Sequence, residues 1–130
     1  MSSSKPIGIT VSDRVRVSGL MLNPSHARAC YVLAHGAGAG MNHPFMAAVA
    51  TEVARRDIAT LRYQFPYMER GTKRPDPPQL AQATVRAAVA AAGVLLPNLP
   101  LVAGGKSFGG RMTSQAQAKH RWKGSVDWRS

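Results

Sequence analysis

The sequence predicts an α/β fold with a mostly parallel sheet, an antiparallel pair of strands at the N-terminal end and helices on its flanks. Three observations indicate this class: apolar residues alternate over positions 7–22, short continuous apolar runs follow, and helical periodicity lies between those runs. Strands that alternate with helices in this way form parallel sheets with right-handed crossovers. A chain of 130 residues has room for one domain with a single core.

The strands are placed by their apolar patterns. Alternation over residues 7–22 indicates two antiparallel strands that turn near residues 12–13. The continuous apolar run at residues 31–34 is typical of a parallel strand that is buried on both faces. Residues 58–65 and 99–103 are predicted to form two further strands of the same sheet.

Two helices are predicted between these strands. Asn42 or His43 can cap the first helix, and Asp76 can cap the second helix after a charged, proline-rich loop over residues 67–78. Gly93 is the expected C-terminal stop of the second helix, because glycine readily adopts the left-handed conformation that ends helices.

Residues 101–110 combine an apolar strand, a glycine-rich turn around Ser107 and the start of a third helix. This is the context of a G-x-S-x-G nucleophile elbow, in which the serine occupies a sharp turn between a strand and a helix. The residues two before and two after the serine must be nearly free of side chains, and Gly105 and Gly109 meet that need. The alternative is a glycine-rich turn with an ordinary capping serine.

The same turn also matches the end of a phosphate-binding loop, G-x-x-x-x-G-K-[ST]. The first glycine of that pattern would fall at position 100, which is Pro100. The four residues between, 101–104, are mostly an apolar strand and cannot wrap phosphates with main-chain N–H groups. A phosphate-binding loop is therefore disfavoured.

A second glycine-rich segment, residues 35–40, follows the strand at residues 31–34 directly. An oxyanion hole needs main-chain N–H groups close to the substrate, and small residues allow the chain to approach it. One strand–helix–strand unit separates this loop from Ser107, the separation expected between an oxyanion loop and a nucleophile turn. The alternative is a flexible loop without a catalytic role, and His35 is expected to be structural rather than a base.

Residues 33–39, 62–67 and 104–112 together resemble a known family, the α/β-hydrolases of the dienelactone-hydrolase-like group. More narrowly, they resemble its bacterial branch related to the testis-expressed and nonspecific-lethal-complex hydrolase-like proteins. The resemblance covers roughly residues 7–118 and implies the N-terminal part of an α/β-hydrolase fold. It also implies a serine hydrolase that acts on a carboxylic ester or related small acyl compound and uses no cofactor.

The resemblance further assigns roles to individual residues. It implies that Ser107 is the nucleophile and that the main-chain N–H groups of Ala37 and Phe108 form the oxyanion hole. The residues expected to support these turns are Gly105, Gly109, His35, Gly36 and Gly38. Lys106 and Arg111 could attract anionic substrates, with ordinary solvated charge as the alternative.

The chain departs from the family pattern after the nucleophile helix. The family supplies its acid and then its histidine from later strands, but 23 residues, 108–130, follow Ser107 here. His120 would lie about 20 Å from the serine along a continued helix, and Asp127 lies further along the chain. We therefore expect this chain to be nearly inactive as a hydrolase, and a non-catalytic scaffold or interaction protein is the alternative function.

The segment from residue 119 onward also breaks the compositional pattern. It holds both tryptophans and continues neither the strand nor the helix periodicity. We expect residues 1–118 to form a partial α/β-hydrolase domain and residues 119–130 to form an atypical basic tail. A frameshift or truncation after about residue 118 would explain that change.

Composition excludes several other functions. The formal charge of +11 would attract nucleic acid, but the basic residues are scattered and no recognition motif is present. No His, Cys or acidic pair has metal-ligand spacing. A single cysteine, no signal peptide and no apolar stretch near the roughly 20 residues of a membrane span predict a cytoplasmic location. An unfinished sheet edge would favour self-association.

Overall fold

The structure, a computed structural model, describes residues 3–119 and 125–127, with side chains through residue 117. Ten elements follow one another along the chain. They are β1 (Lys5–Ser12), β2 (Val15–Leu22), β3 (Ala29–Ala34), α1 (Pro44–Ala54), β4 (Ile58–Tyr63), α2 (Pro66–Glu69), α3 (Pro78–Leu95), β5 (Leu101–Gly105), α4 (Phe108–Lys119) and β6 (Ser125–Asp127).

The described strands form one sheet in the order β1-β2-β4-β3-β5-β6. The β1–β2 and β2–β4 pairs are antiparallel, and β4–β3, β3–β5 and β5–β6 are parallel, as predicted for the fold class. The register sets Ala34 at the end of β3 beside Gly105 at the end of β5. The two glycine-rich segments therefore leave neighbouring strands at the same edge of the sheet.

Helices cover the two faces of the sheet unequally. Alternate residues of β3, namely Cys30, Val32 and Ala34, belong to the main core, which also contains residues of α3 and α4. The opposite face presents Tyr31 and Leu33 toward α1, and they line a largely apolar recess with residues of that helix. Strand alternation thus directs one side of β3 into the core and the other toward this recess.

The first helix begins as predicted. His43 occupies the N-cap, where its Nδ1 accepts a hydrogen bond from the main-chain N–H of Phe45 at 3.1 Å, and Pro44 lies in the first turn. Within the helix, Met46 and Ala50 are buried against the sheet, whereas Phe45 remains 45% exposed.

The predicted ends of the second helix are wrong. Pro77 occupies the N-cap of α3 without a side-chain hydrogen bond, and Asp76 instead accepts a hydrogen bond from the main-chain N–H of Tyr67 at 3.0 Å. The helix passes through Gly93, where an added Cβ would meet only a Leu101 methyl at 3.8 Å, and ends before Pro97. A proline disfavours helical geometry in the residue before it and so ends the helix there.

Three other boundaries differ from those predicted. Residues 66–69, predicted as part of a loop, form the short helix α2. Strand β4 ends at residue 63 rather than 65, and β5 spans 101–105 rather than 99–103. Each difference arises where the chain enters or leaves the sheet, because hydrogen bonds to neighbouring strands rather than local composition decide where a strand ends.

The segment after residue 118 contains a strand that its pattern did not predict. Residues 125–127 form β6 and pair with β5 in parallel, with Asp127 opposite Ala103. His120 and both tryptophans lie outside the described residues. Among the helices that the structure describes, none combines the length and the apolar character needed to cross a membrane.

Candidate active site at the turn between β5 and α4

Ser107 stands at a sharp turn between a strand and a helix. It is one of two non-glycine residues with positive φ in the described chain, at 50°, and its side chain is exposed. An L-residue in this region of φ is strained by about 1–3 kcal/mol, and such strain persists only where the surrounding structure enforces it. The turn therefore lifts a serine hydroxyl above the edge of the sheet.

Close approach of β3 explains the glycines on either side of Ser107. A Cβ at Gly105 would lie 2.6 Å from the carbonyl oxygen of Ala34. A Cβ at Gly109 would lie 2.8 Å from the Cβ of Ala34 and would also strike the carbonyl oxygen of His35. Any side chain at either position would push α4 away from the end of β3. The helix can therefore start directly behind the serine only with glycine at both places.

The β3–α1 loop, residues 35–43, lies against the same turn. At Gly36 a Cβ would come within 3.3 Å of the Lys106 carbonyl oxygen, so glycine permits this contact. Gly38 has open space around it and a φ of +79°, so its role is conformational. The loop thus needs its glycines for two separate physical reasons.

A small cleft of about 160 Å³ brings the predicted nucleophile and oxyanion residues together. Its lining consists of Gly36, Ala37, Ala39, His43, Phe45, Met46, Lys106, Ser107, Phe108 and Arg111. Within the described residues, the main-chain N–H groups of Ala37 and Phe108 have no hydrogen-bond acceptor. The cleft therefore presents an exposed hydroxyl together with unused N–H donors.

The cleft is electropositive. Phe108 begins α4, so the N-terminal end of that helix dipole lies behind Ser107. Lys106 and Arg111 line the cleft without an ion pair to any carboxylate in the described part of the chain. The Lys106 Nζ stands 4.6 Å from the ring centroid of Phe45. Negative charge that develops at Ser107 would be stabilised by these groups.

His35 uses both ring nitrogens for structure. Its Nε2 accepts a hydrogen bond from the main-chain N–H of Phe65 at 3.0 Å, so its Nδ1 carries the proton and donates to the carbonyl oxygen of Gly36 at 2.8 Å. The ring is fully buried, and burial lowers its pKa although the Gly36 hydrogen bond and the charge of Asp76 oppose this. His35 is therefore neutral and has no nitrogen left to act as a base.

The sequence predicted a strand end and a loop at residues 62–67 and a resemblance to the family, but not the contacts that their side chains make with the β3–α1 loop. Gln64 Oε1 accepts a hydrogen bond from the main-chain N–H of Met41 at 2.8 Å. The buried Arg62 guanidinium donates to the Met41 carbonyl oxygen at 3.0 Å, and the Tyr67 hydroxyl donates to that of Gly36 at 3.4 Å. The sequence does contain one sign of these contacts, since Arg62 and Gln64 are polar residues at or just after the end of a mostly apolar strand.

The described residues bring no acid–base pair to Ser107. His43 lines the cleft, but its Nδ1 is engaged in capping α1. His26 is exposed in a loop before β3, and His120 lies outside the described residues. No group of three His, Cys, Asp or Glu side chains suited to a metal ion occurs within residues 3–117.

A larger apolar recess adjoins this cleft. It has a volume of about 500 Å³ and shares Phe45 and Lys106 with the cleft. Its other lining residues come from α1 and from the exposed face of three strands: Ala29, Tyr31, Leu33, Val49, Val53, Ile58, Val102 and Gly105. Among the described residues, the face of the sheet beside α1 is therefore open and apolar next to the turn at Ser107.

Comparison with known families gives one match, to a family described as an alpha/beta hydrolase domain, over residues 27–128. The match passes the predicted boundary at residue 118 and includes β6. Comparison with curated proteins gives no match.

Several solved structures share this fold. A dienelactone hydrolase from Anabaena variabilis ATCC 29413 has a TM-score of 0.81 and 20% identity, over 95% of this chain and 60% of that one. An esterase from Pyrococcus furiosus has a TM-score of 0.77 and 17% identity, over 92% of this chain and 46% of that one. An alpha-beta serine hydrolase homologue from Coxiella burnetii has a TM-score of 0.75 and 14% identity, over 90% of this chain and 58% of that one. The present chain thus spans 60% or less of each of these three structures, and the likeness shows the fold.

Proposed function

Because this chain belongs to the α/β-hydrolase domain family, we propose that it carries the nucleophile and oxyanion hole of a serine hydrolase acting on small carboxylic esters or related acyl compounds. The observation that carries this proposal is the positive φ of Ser107. A strained serine between a parallel strand and a helix, flanked by glycines that no side chain could replace, is the arrangement that a nucleophile elbow requires.

The chemistry follows from the groups in the cleft. Ser107 Oγ attacks the acyl carbonyl carbon, its proton passes to solvent water, and the carbonyl oxygen becomes an oxyanion. The N–H groups of Ala37 and Phe108 stabilise that oxyanion, and the positive end of α4 adds to the effect. Collapse of the tetrahedral intermediate breaks the bond to the alcohol, which takes a proton from solvent water, and leaves an acyl-serine. Water then hydrolyses the acyl-serine and regenerates the hydroxyl.

The size of the cleft supports a small acyl group. A volume of about 160 Å³ is below the range of roughly 300–1,000 Å³ typical of pockets that enclose drug-sized ligands. Two of the structural neighbours are described as esterases, one from Pyrococcus furiosus and one from an Arctic intertidal metagenomic library, which supports an ester-type bond as the bond that is cleaved.

We expect the chain by itself to turn over esters slowly. Within the described residues no side chain hydrogen-bonds to Ser107 Oγ, so nothing there removes its proton. Hydrolases that lack members of the triad retain about 10³–10⁴-fold catalysis over water through binding and the oxyanion hole alone. A residual activity of that order is the expected behaviour of this chain.

A cytoplasmic location forms part of the same proposal. The single cysteine, Cys30, is fully buried in β3, and burial raises the pKa of its thiol to about 12. A free, protonated thiol in the core fits a reducing compartment, where disulfides do not contribute to stability.

Covalent labelling tests the proposal directly. We expect a fluorophosphonate probe to label the wild-type chain at Ser107, with the adduct located by mass spectrometry of peptides. Ser107→Ala should abolish labelling, because the probe bonds to the serine oxygen, and should slow the hydrolysis of p-nitrophenyl acetate to what binding and the oxyanion hole supply without the serine. Ser114→Ala, on the same helix but outside the cleft, serves as the matched control and should behave like wild type.

The alternative function, a non-catalytic scaffold or interaction protein, is favoured by the missing contact between Ser107 and a base in the described residues. It predicts a folded wild-type chain that takes no label and hydrolyses the ester no faster than Ser107→Ala. That result, with a cooperative unfolding transition in both proteins, would replace the hydrolase proposal with the scaffold.

A further inference from the structure

We infer that Gln64, with Arg62 and Tyr67, holds the β3–α1 loop in the conformation that presents the Ala37 N–H to the cleft. These three are positioning residues, since none of them lines the cleft beside Ser107. The inference rests on the proposed function, in which that N–H stabilises the oxyanion.

One end of the loop is held at Met41. Gln64 accepts a hydrogen bond from the Met41 N–H at 2.8 Å, and Arg62 donates to the carbonyl oxygen of the same residue at 3.0 Å. Both main-chain polar groups of Met41 are thus engaged by side chains from the end of β4 and the residue that follows it. A second Arg62 nitrogen donates to Ser4 Oγ at 3.1 Å, which ties this arginine to the N-terminal segment as well.

The other end of the loop is held at Gly36. The Tyr67 hydroxyl donates to the Gly36 carbonyl oxygen at 3.4 Å, and His35 Nδ1 donates to the same oxygen. Burial raises the pKa of Tyr67, and a hydrogen bond from the main-chain N–H of Gly38 partly offsets this rise. Ala37 therefore lies between two segments that the stretch following β4 holds in place.

The loop has few hydrogen bonds of its own. Among the described residues, its main-chain to main-chain hydrogen bonds are two turn contacts, Ala39 N–H to the Gly36 oxygen at 3.4 Å and His43 N–H to the Gly40 oxygen at 3.1 Å. Glycine-rich backbone loses more conformational entropy on ordering than other sequences do. An oxyanion donor is effective only if it is already oriented before the reaction, so side chains from elsewhere must supply that order.

Gly40 gives independent support for the role of Gln64. A Cβ at Gly40 would lie 2.8 Å from Gln64 Oε1 and 3.2 Å from Met68 Cγ. The missing side chain is what allows the Gln64 amide to reach the neighbouring Met41 N–H. Gly40 and Gln64 therefore act together, because the glycine in the loop leaves room for an acceptor from the residue that follows β4.

Gln64 is the residue to vary, because it is half-buried, whereas Arg62 is 5% exposed and its removal would leave buried groups unpaired. Gln64→Met keeps the length of the side chain but removes the acceptor, and Gln64→Glu keeps an acceptor oxygen. Gln79→Met, at an exposed position of α3, is the control for the same chemical change elsewhere.

Fluorophosphonate labelling separates positioning from binding. For Gln64→Met we expect the maximal labelling rate to fall about tenfold while the half-saturating probe concentration stays within about twofold, because the donor acts on the developing oxyanion. Gln64→Glu should restore the rate to within about threefold of wild type, and Gln79→Met should not alter it. Equal rates in wild type and Gln64→Met, or no restoration by Gln64→Glu, would overturn the inference.

Amide hydrogen exchange supplies a readout that needs no activity. We expect the Met41 amide and its loop neighbours to be protected in wild type and Gln64→Glu, and to exchange at least tenfold faster in Gln64→Met. Absence of label in wild type would refute the proposed function alone, and the exchange pattern would then decide the inference. Identical loop exchange in all four proteins would show that Gln64 does not order the loop.

Discussion

At the scale of single residues, His35 shows how burial determines what a histidine can do. Both nitrogens of its imidazole form hydrogen bonds with main-chain groups. The ring also makes a T-shaped contact with the ring of Phe65, with ring centroids 5.0 Å apart. Burial lowers the pKa of His35 and so favours the neutral imidazole. The ring of Tyr67 packs on it as well, with ring centroids 5.9 Å apart. The histidine next to the nucleophile turn thus couples β3 to the chain after β4.

The lowered pKa of His35 predicts a pH dependence of stability. Below its ordinary value of 6.5 the unfolded chain binds a proton that the folded chain resists, so this contribution to stability is present above pH 6.5 and is lost as pH falls. We expect the melting temperature of wild type to drop between pH 7.5 and pH 5. His35→Gln should be less stable at pH 7.5, by about 1–3 kcal/mol, but should show a smaller drop.

Thermal unfolding followed by circular dichroism at the two pH values measures this effect. Comparing the two proteins removes the contribution of other titrating groups, such as Glu52, whose pKa is lowered by its hydrogen bond and charge interactions with Arg56 and Arg55. Parallel pH profiles for wild type and His35→Gln would contradict the assigned neutral state.

At the scale of elements, the approach of α4 to the end of β3 determines the site. The turn between β5 and α4 is held by hydrogen bonds from the Lys106 N–H to the Ala34 oxygen at 3.2 Å and from the Gly109 N–H to the Lys106 oxygen at 2.9 Å. These contacts leave no volume for a side chain at Gly109. Gly93, within α3, has no comparable restriction, since its nearest contact would be a flexible methyl at 3.8 Å.

Replacing these two glycines by alanine should therefore have opposite effects. Gly109→Ala should lower the free energy of unfolding by about 1–3 kcal/mol or more, because the new methyl overlaps the end of β3. Gly93→Ala should raise it by about 0.5–1 kcal/mol, because glycine is unfavourable inside a helix. Denaturant unfolding of both variants gives the two values. A neutral Gly109→Ala would mean that α4 does not pack against β3 as closely as described.

At the scale of the whole molecule, the described part of the sheet has an open face, and each of its two outer strands, β1 and β6, has one neighbour. The recess of about 500 Å³ beside α1 is almost wholly apolar, and within the described residues β6 pairs on one side only. An unpaired strand next to an apolar surface is a site where another chain adds to a sheet. The self-association that the sequence predicts at an unfinished sheet edge stays a prediction, in which each copy of this chain would offer the same edge and face to the other.

Self-association should then depend on concentration and salt in a defined direction. A formal charge of +11 opposes contact between copies, so added salt should strengthen association by screening that repulsion. Val102→Lys places a charge in the recess and should shift the chain toward monomer in sedimentation experiments. Val94→Lys is the control, since Val94 is an 80% exposed residue of α3. Monomeric wild type at every concentration and salt tested would refute the prediction.

The elements that the sequence predicted correctly are those with strong local constraints. The sharp turn at Ser107 could be found because its apolar strand and paired glycines stand within a few residues of the serine, whereas the role of Ser107 as a nucleophile stays a prediction. The N-cap at His43 was likewise visible beside Pro44. Asp76 and Gly93 were misassigned because they have local signals of a cap and a stop, while the structure uses Asp76 to hold Tyr67 and continues the helix to Leu95.

The sequence by itself determined the order of the elements other than α2 and β6 and the strand–turn–helix context of Ser107, since periodicity and glycine placement are local properties of a chain. The resemblance of its motifs to the α/β-hydrolases gave the family, which the family match confirms. Only the tertiary structure decided that Gln64 and Met41, 23 positions apart, share a hydrogen bond. It likewise decided that His35 accepts a hydrogen bond from the main-chain N–H of Phe65, 30 positions away. Sheet order brings such residues together through β3, which lies between β4 and β5 although it precedes both in sequence. No pattern read along the chain contains that rearrangement, and the geometry of the candidate site depends on it.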